Sequence, residues 1–284
     1  MRIDFHAFSV NESHKVISSP PELPYQPIGT AHLTQVYDEF CTELSQLLSP
    51  PQFLSVAKMY GYIEWQYQRC GLIGKGYHCL EHSLELAVLV LKCLKREPHS
   101  PSVFSRESVL PVLVAALLHD YDLLSYGRVP NIKRTIYLIE NDIFLGEPMR
   151  QLGIDAQDIA LMVARTEYPF TVAAETDWKN KLLKSFPNPI ERDKFIRRAE
   201  VLALMDKAAT YYYLSPENAR IRVEYLAKEL DVPREEMLSK TFDIMTRENL
   251  VIVSQWLPEI YGRRWALVRK YFRSLSDYTA NMVH

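Results

Sequence analysis

Four places in the chain carry residue types that could do chemistry together. His78 and His82 stand four residues apart, so on a helix they share one face. His119-Asp120 closes the apolar run VLPVLVAALL, and Val112, Ala115 and Ala116 lie on the helical face of His119. Asp206 sits inside AEVLALMDKAATYYY and shares a face with Ala199, Leu202 and Ala203. An imidazole or carboxylate on a face that should be buried is costly unless a cation or hydrogen-bond donors satisfy it. Singly, each residue has an ordinary explanation: a histidine bonded inside the core, or an aspartate bonded to a loop. Two histidines and two carboxylates in the order H…HD…D, each flanked by apolar helix, instead suit a divalent metal with mixed nitrogen and oxygen ligands.

The elements that must position these residues read as helices. Residues 1–30 hold four prolines (Pro20, Pro21, Pro24 and Pro27) and read as an extended arm. From Thr30, Leu33, Val36, Tyr37, Phe40, Leu44 and Leu47 recur at three- and four-residue steps, and Ser49-Pro50-Pro51 stops that helix. A second helix is expected over Phe53 to Gln68, followed by a turn at Gly71, Gly74 and Gly76. A long helix is expected from Tyr77 to Lys95, and another from an N-cap at Ser105 to about His119. Asn131 caps a short helix through Ile139, and Asp155 with Asp158 starts one ending near Arg165. Ile190 to Leu214 follows, and Ser215-Pro216-Glu217 is a strong start signal for two or three more helices before residue 280. No alternating strand pattern or internal repeat occurs. The expected fold is all-α, with an arm over 1–30, a metal-binding helical core over 31–215, and helices over 216–284 packed on that core.

Composition narrows the function classes. With 284 residues and 48% apolar content the chain can bury a large core and is not a disordered segment. Only 9 glycines are present and no GxGxxG or GxxxxGK[ST] occurs, which excludes the glycine-rich nucleotide loops. A net charge of −2 offers no basic field for nucleic acid. Cys41, Cys70, Cys79 and Cys93 show no CxxC spacing and read as free thiols. The start MRIDFHAFSV lacks an apolar signal-peptide region, and Val109 to Leu118 is about half a membrane span, so a cytoplasmic protein with no membrane partner is expected.

The order His82, His119-Asp120, Asp206 resembles the signature of the HD-domain metal-dependent phosphohydrolase superfamily. The local text is similar to its cyclic-nucleotide phosphodiesterase-like branch. That branch's motif YHNxxHAxDV appears here as Tyr77-His78-Cys79-Leu80-Glu81-His82-Ser83-Leu84-Glu85-Leu86. Its motif AAxxHDxDH appears as Ala115-Ala116-Leu117-Leu118-His119-Asp120-Tyr121-Asp122-Leu123, and Thr166-Glu167 matches its Thr-acid pair. The resemblance covers about residues 60–215. It implies that His82, His119, Asp120 and Asp206 hold one divalent ion, with iron, manganese, zinc, nickel or magnesium all eligible. It implies further that Asp120 bridges to a second ion, that a metal-activated water attacks phosphorus, and that His78 is the general acid. Cys79 stands where the branch has Asn, and Leu123-Leu124 where it has His-Pro. Gln255 is only a loose counterpart of its purine-gripping glutamine. These departures weigh against cyclic-nucleotide specificity and leave the ligand set intact.

The expected activity is therefore hydrolysis of a nucleotide or other small phosphate mono- or diester. The alternative is a non-catalytic protein of the same fold whose metal site serves a regulatory or partner-binding role. Arg128, Lys133, Arg134 and Lys207 are candidate contacts for substrate phosphate, and otherwise belong to solvated faces or carboxylate pairs. Glu81 either orients a ligating histidine or faces water. Tyr211-Tyr212-Tyr213 reads as packing before pocket lining. A second copy of the chain is an open partner.

Overall fold

The computed structural model describes residues 30–71, 76–94, 106–124, 130–167, 170–247, 266–268 and 270–274. Among them the secondary structure is helical throughout, with no strand. The described residues include, in order, α1 (Thr30–Leu47), α2 (Pro50–Arg69), α3 (Leu80–Leu94), α4 (Arg106–Leu118), α5 (Ile132–Asn141), α6 (Ile143–Gln151), α7 (Ala156–Ala164), α8 (Val172–Ser185), α9 (Pro189–Tyr213), α10 (Pro216–Glu229) and α11 (Arg234–Arg247), and residues 266–268 and 270–274 are helical as well. No helix among the described residues is long and apolar enough to cross a membrane. The Pro-rich arm lies outside the described residues except for Thr30, which already belongs to α1, and so do Ser105, Arg128 and Gln255.

The centre of the molecule is made by α3 and α4. Every residue from Leu80 to Leu91 is buried, as is nearly all of Val109 to Asp122. Helices apolar on all sides must be covered on all sides. Here α1 and α9 pack on α3, while α7 and α9 pack on α4. Small residues set how closely the backbones approach: Ala87 on α3, Ala115 and Ala116 on α4, and Ala199, Ala203, Ala208 and Ala209 on α9 are all buried. That closeness lets side chains as short as aspartate reach from one helix to the next.

Helix starts follow side-chain capping. Asn131, Asp155 and Ser215 accept backbone N–H bonds at the heads of α5, α7 and α10, where the sequence places them. Each such cap is worth about 1 kcal/mol. Asp142, Thr171 and Asn188 do the same for α6, α8 and α9. The prolines at 50 and 51 begin α2 rather than merely ending α1, because proline fits the first turn of a helix, whose N–H groups are unbonded anyway. α6 and α8 have no clear periodic signature: α6 contains Gly146 and Pro148, and α8 buries only Trp178 and Leu182.

The largest departure lies at the start of α3. The helix begins at Leu80, not Tyr77, and residues 76–79 form a chain of bends. His78 and His82 are therefore not on one helical face. The cause is a contact from far along the chain, described below.

Candidate metal centre

His82 projects from the first turn of α3, His119 and Asp120 lie just beyond the last residue of α4, and Asp206 projects from the middle of α9. The packing of α3, α4 and α9 brings them together. His82 Nε2 lies 2.7 Å from Asp206 Oδ1, and His119 Nε2 lies 3.2 Å from the same oxygen. Asp120 Oδ2 lies 3.0 Å from His119 Nε2 and 4.0 Å from His82 Nε2. The ligand atoms of His82, His119 and Asp206 all fall within 4.8 Å of one another, and that trio could hold a metal ion. Asp120 adds a fourth candidate ligand atom, a second oxygen, at its edge.

Two features fit a cation. Ligands about 2.1 Å from a common ion lie about 3.0 Å apart at right angles and about 3.4 Å apart in a tetrahedron. The distances of 3.0 and 3.2 Å from His119 match that spacing. His119 Nε2 and Asp120 Oδ2 are also buried and lack hydrogen-bond geometry, although they are neighbours. Buried polar atoms left without partners are rare and expensive. Two of them aimed at one another's surroundings are what a ligand set looks like when described without its ion.

The ring orientations are fixed from behind. His119 Nδ1 donates to the Ala116 carbonyl at 2.9 Å, which leaves Nε2 for the cluster. His82 Nδ1 lies 3.4 Å from Thr210 Oγ1 on α9. Such outer contacts hold the tautomer and tilt of metal-binding imidazoles. Charge is shared within the group. Burial opposes the ionised forms of His119, Asp120 and Asp206, yet His119 is held well above the usual histidine range by Asp120 and Asp206. Asp206 is in turn held far below the usual carboxylate range, chiefly by His119 against the effect of burial.

His78 is positioned by a residue far along the chain. Glu229, the last residue of α10, brings Oε2 to 2.5 Å from His78 Nδ1 and accepts the Tyr77 N–H on Oε1 at 2.8 Å. These bonds hold the chain in bends ahead of α3. Burial lowers the His78 pKa, but the charge of Asp120 and the Glu229 bond outweigh it, so the net shift is upward. Gly76 makes room: its φ is +92°, and a Cβ there would sit 2.5 Å from Glu229 Oε1. Gly76→Ala is therefore expected to cost about 2 kcal/mol from backbone strain alone, read by urea denaturation. The one local hint of Glu229 is an acid in the last turn of a helix, where the helix dipole disfavours it.

One turn along α3 from His82, the helix carries a second buried set. Glu85 bonds His32 of α1 at 2.6 Å and Arg222 of α10 at 3.1 Å, and both Glu85 and Arg222 are at most 1% exposed. Glu81 does not face water: it is 1% exposed, and burial raises its pKa despite Arg222 nearby. This ion set ties α1 and α10 to the helix that bears His82.

The other candidate residues do not form one group. Arg134 donates to Asp122 at 3.0 Å. Lys133 is exposed on α5, where it lines a groove of about 550 Å³ between α5, α7 and α8. Glu167 lines the same groove, whose lining includes none of His82, His119, Asp120 or Asp206. Lys207 is half-buried beside Asp206. Tyr211 is core, packed edge-on against Phe272 at 5.8 Å. No protein-family model matches the chain, and no curated protein matches it either.

Proposed function

We propose that the chain is a divalent-metal-dependent phosphohydrolase of the HD-domain type, acting on a nucleotide or another small phosphate ester. The observation that carries this reading is the convergence of His82, His119 and Asp206 from three helices, with Asp120 Oδ2 3.0 Å from His119 Nε2. The motif order around these residues supports the same family. A divalent ion held there would acidify water and supply positive charge against phosphoryl oxygens.

The chain's own groups have separable tasks in this reading. Asp120 and Asp206 supply two negative charges, which balance a divalent ion inside a buried site. His82 and His119 complete the ligand set with their Nε2 atoms. His78 holds the proton destined for the leaving oxygen. Its Nδ1 is tied to Glu229, so the transferable proton is the one on Nε2. Its raised pKa keeps that proton in place near neutral pH. Cys79, Leu123 and Leu124 make a small phosphate ester a better assignment than a cyclic nucleotide.

The test is an activity panel of nucleoside monophosphates, cyclic nucleotides and nitrophenyl phosphates. It uses the purified chain loaded in turn with Mn²⁺, Fe²⁺, Zn²⁺, Ni²⁺ and Mg²⁺. Turnover that needs the ion and disappears on chelation is the expected result. Tight ion binding with no turnover on any ester would contradict a hydrolase and favour a regulatory metal site.

A further inference from the structure

His119 and Asp120 lie in a turn beyond Leu118, the last residue of α4, which the Tyr121 N–H closes on the Leu118 carbonyl at 3.0 Å. The segment that follows holds this turn in place. The Asp122 N–H donates to the Asp120 carbonyl at 2.7 Å, and the Tyr67 hydroxyl of α2 reaches the same carbonyl at 3.2 Å. Asp122 is itself locked. Its side chain is fully buried and accepts the Asn131 N–H at 2.8 Å and the Leu124 N–H at 3.3 Å. It also accepts Arg134 Nη1 at 3.0 Å. Asn131 is the cap of α5, and Arg134 lies in its first turn. The head of α5 and one guanidinium thus grip the residue that fixes the main chain of Asp120.

We propose that Asp122 and Arg134 act as a clamp that positions Asp120 in the metal centre, making both positioning residues rather than substrate contacts. The inference rests on the metal-centre reading above. A buried carboxylate with two backbone donors and a charged donor is stiff, and stiffness in the support of a ligand appears as ion affinity. Arg134 matters through one terminal nitrogen: Nη1 lies 3.0 and 3.4 Å from the two Asp122 oxygens. A lysine keeps the charge but not the planar, rigid guanidinium that sets this nitrogen in place.

The experiment is calorimetric titration with Mn²⁺ alone, together with Co²⁺ absorption spectra and melting of the metal-free protein. It compares wild type, Arg134→Gln, Arg134→Lys, Asp122→Asn and the double variant Asp122→Asn/Arg134→Gln. Arg134 is half-exposed, so its variants should fold. Arg134→Gln and Asp122→Asn are each expected to weaken Mn²⁺ binding about 10-fold or more and to shift the Co²⁺ bands. The double variant should be no weaker than the worse single, because the two act as one unit. Arg134→Lys should recover part of the loss. Unchanged Mn²⁺ affinity and Co²⁺ spectra in the single variants would overturn the clamp, whatever the melting temperatures do, and so would additive losses. A wild-type chain that binds neither ion would overturn the metal centre and the clamp with it.

Discussion

Asp206→Ala should abolish ion binding and, with it, every metal-dependent activity of the chain. Asp206 Oδ1 is the atom that both imidazoles share, at 2.7 Å from His82 and 3.2 Å from His119. Removing it deletes a charge and opens a gap between α9 and the other two helices. Partners one step behind a ligand already cost about 10–100-fold in affinity when lost. A ligand itself should cost more than about 100-fold. Asp206→Asn separates the two effects, since it keeps the shape and removes the charge. It should bind Mn²⁺ far more weakly than wild type while folding normally. Atomic absorption on the purified variants and titration with Mn²⁺ provide the check. Full ion stoichiometry in Asp206→Ala would exclude Asp206 as a ligand.

His78→Ala should lower turnover by about 10²–10⁴-fold, the usual contribution of a positioned acid, while leaving ion content nearly unchanged. His78 is not among the residues whose ligand atoms cluster. The loss should be smaller on a nitrophenyl ester, whose leaving group needs little protonation, than on an alkyl ester. Equal losses on both, or loss of the ion, would remove His78 from the acid role. The pH profile gives a second readout. Burial pulls the His78 pKa down and Asp120 and Glu229 push it up further, so the acid form persists above the ordinary histidine range. Activity should therefore fall as pH rises through that elevated value. Glu229→Gln should move this alkaline limb to lower pH, toward the ordinary histidine value. The same linkage governs stability. The raised pKa makes the His78 interactions fully stabilising below the ordinary histidine value, and their contribution is lost as pH rises through the elevated one.

The sequence made some of this legible and hid the rest for physical reasons. The candidate ligands could be found because His82 and Asp206 stand on apolar faces, and His119-Asp120 at the end of an apolar helix, that would otherwise reject them, and α3, α4 and α9 are buried there. The caps Asn131, Asp155 and Ser215 could be found because a cap acts within three residues of itself. Glu229 could not, because it meets His78 across 151 residues and nothing near it specifies the contact. For the same reason the periodicity through Tyr77 and His78 suggested helix where a distant carboxylate holds bends. The Glu85–Arg222 pair was hidden likewise: a charged residue is normally solvated, and only the packing of α10 on α3 reveals that both are buried. Arg134 stands among basic residues that suggest phosphate, yet its guanidinium is paired with Asp122.

The proposed function depends on one divalent ion held by His82 of α3, His119 just beyond α4 and Asp206 of α9. The most direct measurement is anomalous diffraction at the Mn edge from crystals of the full chain grown with saturating Mn²⁺. One strong peak is expected about 2.0–2.3 Å from His82 Nε2, His119 Nε2 and Asp206 Oδ1. Ordered density for these side chains, with no peak between them and the His82–Asp206 hydrogen bond intact, would contradict it.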